Sequence, residues 1–385
     1  MRIAINTRFL LPGKLEGLGW YTYEICRRWA AAHPQDEFFF LFDRPYDPRF
    51  VFGPNVHPIV VSPPARHPVL WYLWFEGRLP VILKTIKADV FFSPDGYLSL
   101  RSQTPTVMVV HDLAFRHYPG QVPRIVRAFY THFTPQYLHR ASKIVTVSDF
   151  VKQDIEKQYA LPAEKIVVVP NGGREGFKPL NTLEIQNLRN KYAAGKPYFF
   201  YLGALHPRKN LPRLIAAYNL FRQLYGTEVK LLIGGRMAWQ TSEIFSAWKS
   251  APFQEDICFL GYLPEETLPG VLGAALALTY VPLFEGFGLP VLEAMFSEVP
   301  ILASNSASIP EVAGNAALLV NPFDEEAIAH AMWQLWENPA LRSSLIQKGR
   351  LQRSHFSWDD AADRIYKILE EVSREASSIS SPQKP

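Results

Sequence analysis

A glycine-rich segment bracketed by two carboxylates is the part of this sequence best suited to chemistry. Glu285 precedes two glycines, and Glu293 lies eight positions later in a predicted helix that Leu289 and Pro290 open. Glycines let a backbone approach a ligand closely, and amides at a helix start attract an anion. Carboxylates accept hydrogen bonds from hydroxyl groups. The pattern predicts a site for an anionic ligand rich in hydroxyls. The alternative is a glycine turn whose glutamate complements the helix dipole.

A basic loop follows a predicted strand that ends at Gly203. The loop presents His206, Arg208, Lys209 and Asn210 before the next predicted helix. Arginine and lysine at such a position can neutralise a diphosphate and the negative charge that develops on it. Two solvated surface charges would give the same pattern, so the loop alone does not decide between these interpretations.

Two further groups stand next to predicted strands in the first half of the chain. Gly17 and Gly19 follow the first strand and place amides at the start of the first helix, although the segment matches neither a dinucleotide fingerprint nor a P-loop. His111 and Asp112 end a buried strand, where parallel sheets place ligand-binding groups. His111 is therefore either a contact for a ligand hydroxyl or a histidine with a structural role only.

Short apolar runs alternate with amphipathic ones along both halves of the chain, which predicts βα units and two parallel sheets. The predicted strands are 2–6, 37–43, 89–93, 106–112, 143–148, 165–171, 197–204, 229–235, 257–262, 275–281, 300–304 and 317–320, and the predicted helices include 124–140 and 211–225. The fold class is α/β, with two Rossmann-like domains facing across a cleft. The domains are placed at 1–175 and 196–352, with a polar stretch, Gly172–Pro197, between the halves. A last helix is predicted at 358–373, followed by a disordered tail at 376–385.

The composition excludes several other classes of protein. The chain has 385 residues, a formal charge of +4 and no long basic block, so nucleic-acid binding is not expected. Cys26 and Cys258 are the only cysteines, and no Asp-x-Asp triplet occurs, so no metal site is predicted. The first residues do not resemble a signal peptide, and no apolar run reaches the ~20 residues of a spanning helix. A cytoplasmic protein is expected.

The aromatic and basic segment Trp71–Lys84 is interpreted as a helix packed on its own sheet, with peripheral membrane contact as the alternative.

Taken together, these segments resemble the retaining GT-B glycosyltransferases of family 4, the glycosyl transferases group 1. The resemblance runs in order along nearly the whole chain and rests on the glycine segment at 17–19, VVHDLAF at 109–115, IVTVSDFVKQDI at 144–155, VVVPNGG at 167–173, LGALHPRKN at 202–210, FLGYLPEE at 259–266, EGFGLPVLE at 285–293 and IPEVAGNAALLVNPFD at 309–324. The wording of the VHDLAF and PRKN segments is most similar to bacterial mannosyltransferase-like members of polysaccharide and lipopolysaccharide assembly.

The resemblance implies a nucleotide diphosphate sugar as donor, held mainly by the second domain without a metal or another cofactor. Glu293 would hold the ribose and Glu285 the transferred sugar. The diphosphate would meet Arg208, Lys209 and the backbone of Gly203, Gly286, Phe287, Gly288 and Leu289, while Tyr262 and Leu263 would touch the base. Many members carry arginine directly after the strand-end glycine, whereas here Ala204 follows Gly203.

The same resemblance assigns the first domain to the acceptor, a glycan or a lipid-linked saccharide. Gly17 and Gly19 would close onto the phosphates, His111 would face the sugar, and the last helix would return to the first domain. The residues implied in catalysis are His111, Arg208, Lys209 and Glu285. GDP-mannose is the expected donor. Two alternatives stay open: a nucleotide-sugar epimerase of the same architecture, and a non-catalytic subunit that binds nucleotide sugars.

Overall fold

The chain folds into two compact units. A computed structural model describes residues 1–13, 15–237 and 241–380, and of residues 379 and 380 only the backbone. Unit 1 comprises Met1–Gly172 and Ser357–Pro385, and unit 2 comprises Gly173–Phe356. Each unit is built around one parallel sheet, as the alternation of apolar and amphipathic runs predicts.

Seven parallel strands form the sheet of unit 1. They are β1 (Arg2–Asn6), β2 (Glu37–Phe42), β3 (Val56–Val60), β4 (Val90–Ser93), β5 (Thr106–Val110), β6 (Lys143–Thr146) and β7 (Ile166–Val168). Their order is β3-β2-β1-β4-β5-β6-β7. Every residue of β4 and β5 is buried, which explains why these strands are continuous apolar runs without alternation.

Seven helices accompany this sheet in the described part of unit 1. They are α1 (Gly17–Ala32), α2 (Pro68–Tyr72), α3 (Leu79–Thr85), α4 (Ala114–His117), α5 (Arg124–Arg140), α6 (Asp149–Tyr159) and, from the end of the chain, the helix Trp358–Ser380. A π-helical turn, Leu73–Arg78, joins α2 to α3.

The helix Trp358–Ser380 completes the core of unit 1 by covering α1. The indole of Trp29 donates to the carbonyl of Ala362 at 2.8 Å. The ring of Tyr366 stacks on His33 with centroids 3.5 Å apart, and its hydroxyl donates to Asp36. The described residues from Ser357 to Ser380 are therefore part of the same folded unit as the amino-terminal segment Met1–Gly172.

Six parallel strands form the sheet of unit 2. They are β8 (Tyr198–Leu202), β9 (Lys230–Gly234), β10 (Ile257–Gly261), β11 (Ala277–Tyr280), β12 (Ile301–Ser304) and β13 (Ala317–Val320), in the order β10-β9-β8-β11-β12-β13. The helices of the described part of unit 2 are α7 (Thr182–Ala193), α8 (Leu211–Tyr225), α9 (Ser242–Lys249), α10 (Leu268–Gly273), α11 (Leu289–Phe296), α12 (Ile309–Ala313), α13 (Glu325–Glu337) and α14 (Pro339–Gln352). The helix Trp358–Ser380 is accordingly α15.

Both sheets reverse their strand order at one internal position. In unit 1 the reversal lies between β1 and β4, and in unit 2 between β8 and β11. Loops that leave the carboxyl ends of two such strands diverge and open a crevice, which is where parallel sheets bind ligands. In unit 2, these two loops carry the basic segment and the glycine-rich segment singled out in the sequence.

The structure departs from the sequence-based elements in three places. The strand β3 was not predicted, because its sequence VHPIV contains Pro58. The stretch assigned as a polar connection contains α7, so residues 173–195 belong to unit 2. The tail predicted as disordered from 376 is helical up to Ser380, and its last residues, 381–385, lie outside the described part of the chain.

Candidate active site

Two hydrogen bonds fasten the loop after β8 to the loop after β11. The amide of Leu283 donates to the carbonyl of Arg208 at 2.8 Å, and Nδ2 of Asn210 donates to the carbonyl of Val281 at 3.0 Å. Asn210 has a positive φ of 63°, which asparagine tolerates better than most residues. The basic segment is therefore held directly beside the acidic, glycine-rich segment.

Lys209 and Glu285 meet at this junction. Their side chains form an ion pair, and each is 12% exposed. Nζ of Lys209 also donates to the hydroxyl of Tyr280 at 2.7 Å. Burial, together with the charge of Glu285, raises the pKa of Tyr280 well above its usual value, so this phenol stays protonated. The ammonium group is thus fixed by two partners in a site with little water, where its field acts strongly.

Glu293 has one oxygen occupied and one open. Oε1 accepts from Nε of Arg174 at 2.7 Å and pairs with Nη2 of the same residue at 2.6 Å. Oε2 is buried and has no hydrogen-bond donor among the described residues. A buried acceptor without a donor is costly, so a ligand hydroxyl that donates to Oε2 would remove this cost.

The amino end of α11 presents backbone amides without a side-chain cap. Gly288 occupies the N-cap position with a φ of 104°, and as a glycine it supplies no side-chain cap to the first turn. A Cβ at Gly288 would lie 2.6 Å from Cδ1 of Ile309, so this position requires glycine for space as well as for conformation. The hydroxyl of Ser308 donates to the carbonyls of Glu285 and Phe287, at 2.9 and 3.0 Å, and fixes the loop that leads into the helix.

Gly203, Arg208 and the residues after β10 lie at the same edge of the sheet. A Cβ at Gly203 would contact Cε of Lys209 at 3.9 Å, so this glycine borders the ammonium group. The charge of Arg208 is close enough to Tyr280 to act against the rise in its pKa. Leu263 contacts the end of β9, where a Cβ at Gly234 would lie 3.1 Å from it, and Tyr262 is 47% exposed.

Gly17, Gly19 and His111 lie in unit 1. Gly17 opens α1 and is exposed, whereas a Cβ at Gly19 would lie 2.8 Å from the carbonyl oxygen of Phe9, which gives Gly19 a packing role. Nε2 of His111 lies 2.8 Å from the carbonyl of Pro94. Since a carbonyl only accepts, Nε2 carries the proton and Nδ1 is left as an acceptor. Burial lowers the pKa of His111, which keeps the ring neutral.

The predicted residues of unit 2 thus converge on the carboxyl edge of one sheet, with Lys209 and Glu285 in direct contact. Glu293 is held by Arg174. Sequence reasoning missed Arg174 and Tyr280. Arg174 follows two glycines in the stretch interpreted as a connection, and nothing in the spacing links it to a glutamate 119 positions away. Tyr280 lies in a predicted strand, and nothing in the sequence around it indicates a contact with Lys209.

Within residues 1–13, 15–237 and 241–380, no three His, Cys, Asp or Glu side chains lie close enough together to hold a metal ion. Over the same part of the chain, no helix combines the length and apolar character needed to cross a membrane.

Comparisons with known proteins identify the class. The model for "Glycosyl transferases group 1" matches residues 184–352, and the model for "Glycosyltransferase Family 4" matches residues 15–172. The chain is 28% identical to O-antigen chain mannosyltransferase B of Escherichia coli over 369 residues, 92% of this chain and 97% of the relative. It is 27% identical to O-antigen chain mannosyltransferase RfbU of Salmonella typhimurium over 288 residues, 74% and 76% of the two chains.

A solved structure agrees on the architecture. Anabaena HepE in complex with UDP and glucose has a TM-score of 0.76 to this chain at 16% identity, over 96% of this chain and 99% of that one. Two parallel-sheet domains of this kind, with both family models matched in order, define a GT-B glycosyltransferase. The chain belongs to glycosyltransferase family 4 and is a hexosyltransferase. The α/β fold class with two parallel sheets and the membership of family 4, both predicted from the sequence, are confirmed.

Proposed function

We propose that the protein transfers a hexose from a nucleoside diphosphate to a glycan or lipid-linked acceptor, with retention of configuration and without a metal ion, in the assembly of a surface polysaccharide. Mannose from GDP-mannose is the donor we propose first. The names of two relatives, both O-antigen chain mannosyltransferases, support the sugar and the pathway class. The choice of guanine as the nucleotide base of the donor rests on the family resemblance alone.

The observation that carries the proposal is the pairing of Lys209 with Glu285 beside the uncapped start of α11. An ammonium group and helix-start amides suit a diphosphate. With the diphosphate in this position, Glu285 lies beside the sugar that is attached to it. The open Oε2 of Glu293 suits a ribose hydroxyl, since a carboxylate accepts hydrogen bonds from such groups. Cationic side chains at the diphosphate supply the charge that a metal ion would otherwise provide.

The proposed mechanism uses the leaving diphosphate as the base. As the bond between the anomeric carbon and the phosphate oxygen breaks, the acceptor hydroxyl attacks the same face of the sugar and gives its proton to that oxygen. Lys209 and Arg208 stabilise the negative charge on the departing phosphate. His111, neutral and with Nδ1 as an acceptor, orients a sugar hydroxyl. The protein contributes position and charge, and no side chain needs to form a covalent intermediate.

A nucleotide-sugar screen tests this proposal directly. A ligand that binds only the folded protein adds about 2.7 kcal/mol of stability at 100 times its Kd. We therefore expect GDP-mannose to raise the melting temperature by several degrees, and GMP, which lacks the diphosphate, to raise it much less. Transfer to an acceptor, followed by mass spectrometry, then separates a transferase from an epimerase, which would convert the donor alone. If no nucleotide diphosphate sugar binds, the proposal is wrong.

We also propose that unit 1 acts at the inner face of a membrane. Val69, Tyr72 and Leu73 on α2 and the following turn, and Ile125 on α5, are between 39% and 57% exposed. These helices pack side by side, with the rings of Tyr72 and Phe133 5.9 Å apart. Asp112 is the only acidic residue between Asp95 and Asp149, whereas this segment holds six arginines or lysines. Exposed apolar side chains within a basic surface suit anionic lipid.

A flotation experiment tests the membrane contact. A basic residue near an anionic surface contributes about 1 kcal/mol, so the charge reversal Arg124→Glu should cost about 2 kcal/mol and weaken binding to vesicles containing phosphatidylglycerol by roughly 30-fold. Lys178→Glu, an equally exposed change in unit 2, is the matched control and should bind like the unmodified protein. Equal losses for both variants, or equal binding to neutral phosphatidylcholine vesicles, would contradict a specific contact through α5.

A further inference from the structure

Unit 1 contains a cavity of about 330 Å³ at its own switch point. Arg8 follows β1, and Asp95 and Tyr97 follow β4, the two strands between which the order reverses. All three residues line the cavity. Its position is the one at which parallel sheets bind ligands, and its size is at the lower end of the range of ~300–1,000 Å³ for ligand pockets.

Arg8 is a buried cation, and two of its three guanidinium nitrogens donate hydrogen bonds within unit 1. Its Nε donates to Oδ2 of Asp95 at 2.6 Å, its Nη1 donates to the carbonyl of Ala65 at 3.5 Å, and its side chain is 4% exposed. In the part of the chain that the structure describes, Nη2 has no acceptor. Nη2 is not fully buried, so a ligand oxygen in the cavity that Arg8 lines can serve as its acceptor.

Three aromatic side chains, Trp71, Tyr97 and Tyr130, form one wall of the cavity. The polar edges of these rings bond within the protein: Nε1 of Trp71 donates to the carbonyl of Ala65 at 2.8 Å, and the two phenol oxygens lie 3.0 Å apart. The rings of Trp71 and Tyr130 are stacked, with 14° between their planes. The guanidinium of Arg8 already lies over the ring of Tyr97, 4.3 Å from its centroid. The aromatic surface left for a ligand therefore belongs to Trp71 and Tyr130, and it suits the C–H groups of an aliphatic ring.

The charges around the cavity are largely balanced. Arg8 pairs with Asp95, and Arg44, which also lines the cavity, makes two bonds to Asp43 at 2.6 and 2.8 Å. Arg66 adds a positive charge at an exposed position on the rim. Paired guanidinium and carboxylate groups offer donors and acceptors without a strong net charge. An uncharged ligand with several hydroxyls fits this better than an anion does.

We propose that this cavity binds the terminal pyranose ring of the acceptor glycan. The proposal rests on the transferase function above and names the residues that recognise the acceptor. The C–H face of the ring packs against the aromatic wall, one hydroxyl oxygen accepts from Nη2 of Arg8, and another hydroxyl donates to Asp95. Leu18 also lines the cavity and stands between Gly17 and Gly19, so the bound ring borders the glycine segment at the start of α1.

Saturation-transfer NMR with methyl α-D-mannopyranoside tests the binding without any need for turnover. The ring protons should receive saturation from the unmodified protein and from Tyr130→Phe, which keeps the ring. They should lose most of it in Tyr130→Ala. Phe133→Ala is the matched control, because Phe133 lies one turn further along α5, is similarly buried, and does not line the cavity. Equal signals from Tyr130→Ala and the unmodified protein would overturn the proposal.

Kinetics with the same glycoside as acceptor separate this proposal from the proposed function. An aromatic contact of this kind corresponds to roughly a tenfold change, so Tyr130→Ala should raise the acceptor KM about tenfold. Binding of the donor nucleotide and slow hydrolysis of the donor without acceptor should stay unchanged. An unchanged acceptor KM in a folded, active Tyr130→Ala protein rejects the cavity but leaves the transferase. Absence of transfer in the unmodified protein rejects the transferase, and the NMR result still decides the cavity.

Discussion

Replacing Lys209 with alanine is expected to lower the rate of sugar transfer by about 10²–10³-fold, the usual effect of losing one positioned donor at a developing negative charge. Lys209 is held by Glu285 and Tyr280 before any ligand arrives, so its charge needs no rearrangement as the phosphate departs. Because the charge on the diphosphate grows as the glycosidic bond breaks, most of the loss should fall on kcat rather than on donor KM. Single-turnover transfer measures this step.

The control for this experiment is Lys230→Ala. Lys230 is a second lysine of unit 2 that pairs with a carboxylate, Asp256, at 3.7 Å. The control should leave kcat close to that of the unmodified protein. Since Lys209→Ala also leaves Glu285 without its counter-charge, Lys209→Ala combined with Glu285→Gln shows whether the remaining carboxylate disturbs the fold. Turnover near the original value in a folded Lys209→Ala protein would mean that the ammonium group has no catalytic role.

Replacing Asp95 with alanine is expected to destabilise unit 1 by about 3–5 kcal/mol, because it leaves a buried guanidinium without its counter-charge. The side chains of Arg8 and Asp95 are 4% and 1% exposed, and their contact joins the ends of β1 and β4. Hydrogen exchange of the amides in these two strands reports the opening free energy of unit 1 separately from that of unit 2.

Two further variants make the Asp95 experiment decisive. Glu37→Ala removes an exposed pair with Arg2 in the same sheet and should cost only about 0.2–1 kcal/mol. Arg8→Met combined with Asp95→Leu removes both charges and should recover most of the stability lost in Asp95→Ala. If Asp95→Ala and Glu37→Ala have equal effects on exchange, the buried pair does not stabilise the sheet.

The sequence was sufficient to predict the two sheets and many of their helices. Strands that are buried on both faces of a sheet are continuous apolar runs, and amphipathic helices repeat their apolar residues roughly every three to four positions. The helices 124–140 and 211–225 were predicted with the bounds that α5 and α8 have. The strand β3 was missed since Pro58 lowers its strand propensity, yet at the edge of a sheet a proline is tolerated.

The two errors near the domain boundaries have local physical causes. Glycine and proline at both ends of Gly172–Pro197 suggested a connection, although Asn181 and Glu184 form a capping box that starts α7. The serine-rich end of the chain suggested disorder, but α15 continues to Ser380, and the hydroxyls of Ser377 and Ser378 bond back to the carbonyls of Ser373 and Glu375 within it.

The candidate site was predictable in its residue types but not in its pairings. Two glutamates around paired glycines indicate a ligand site, because the glycines let the backbone approach an anion and the carboxylates accept hydrogen bonds from hydroxyl groups. The partner of Glu293 could not be predicted, since Arg174 is brought to it by the fold of unit 2 rather than by a local period. The cavity of unit 1 could not be predicted for the same reason, because the ion pair that lines it joins Arg8 to Asp95, 87 positions further along the chain.

The return of α15 to unit 1 has a consequence for synthesis of the protein. The surface of α1 that receives Ala362 and Tyr366 is made early, but its cover emerges only after all of unit 2 has been translated. At ribosomal speeds of about 5–20 residues per second, the interval is roughly 10–40 s. During that time the nascent amino-terminal unit exposes the apolar side chains that α15 later covers, whereas unit 2 already has its full sequence when α15 emerges. Chaperones that bind the growing chain would therefore meet the first-made unit in its unfinished form.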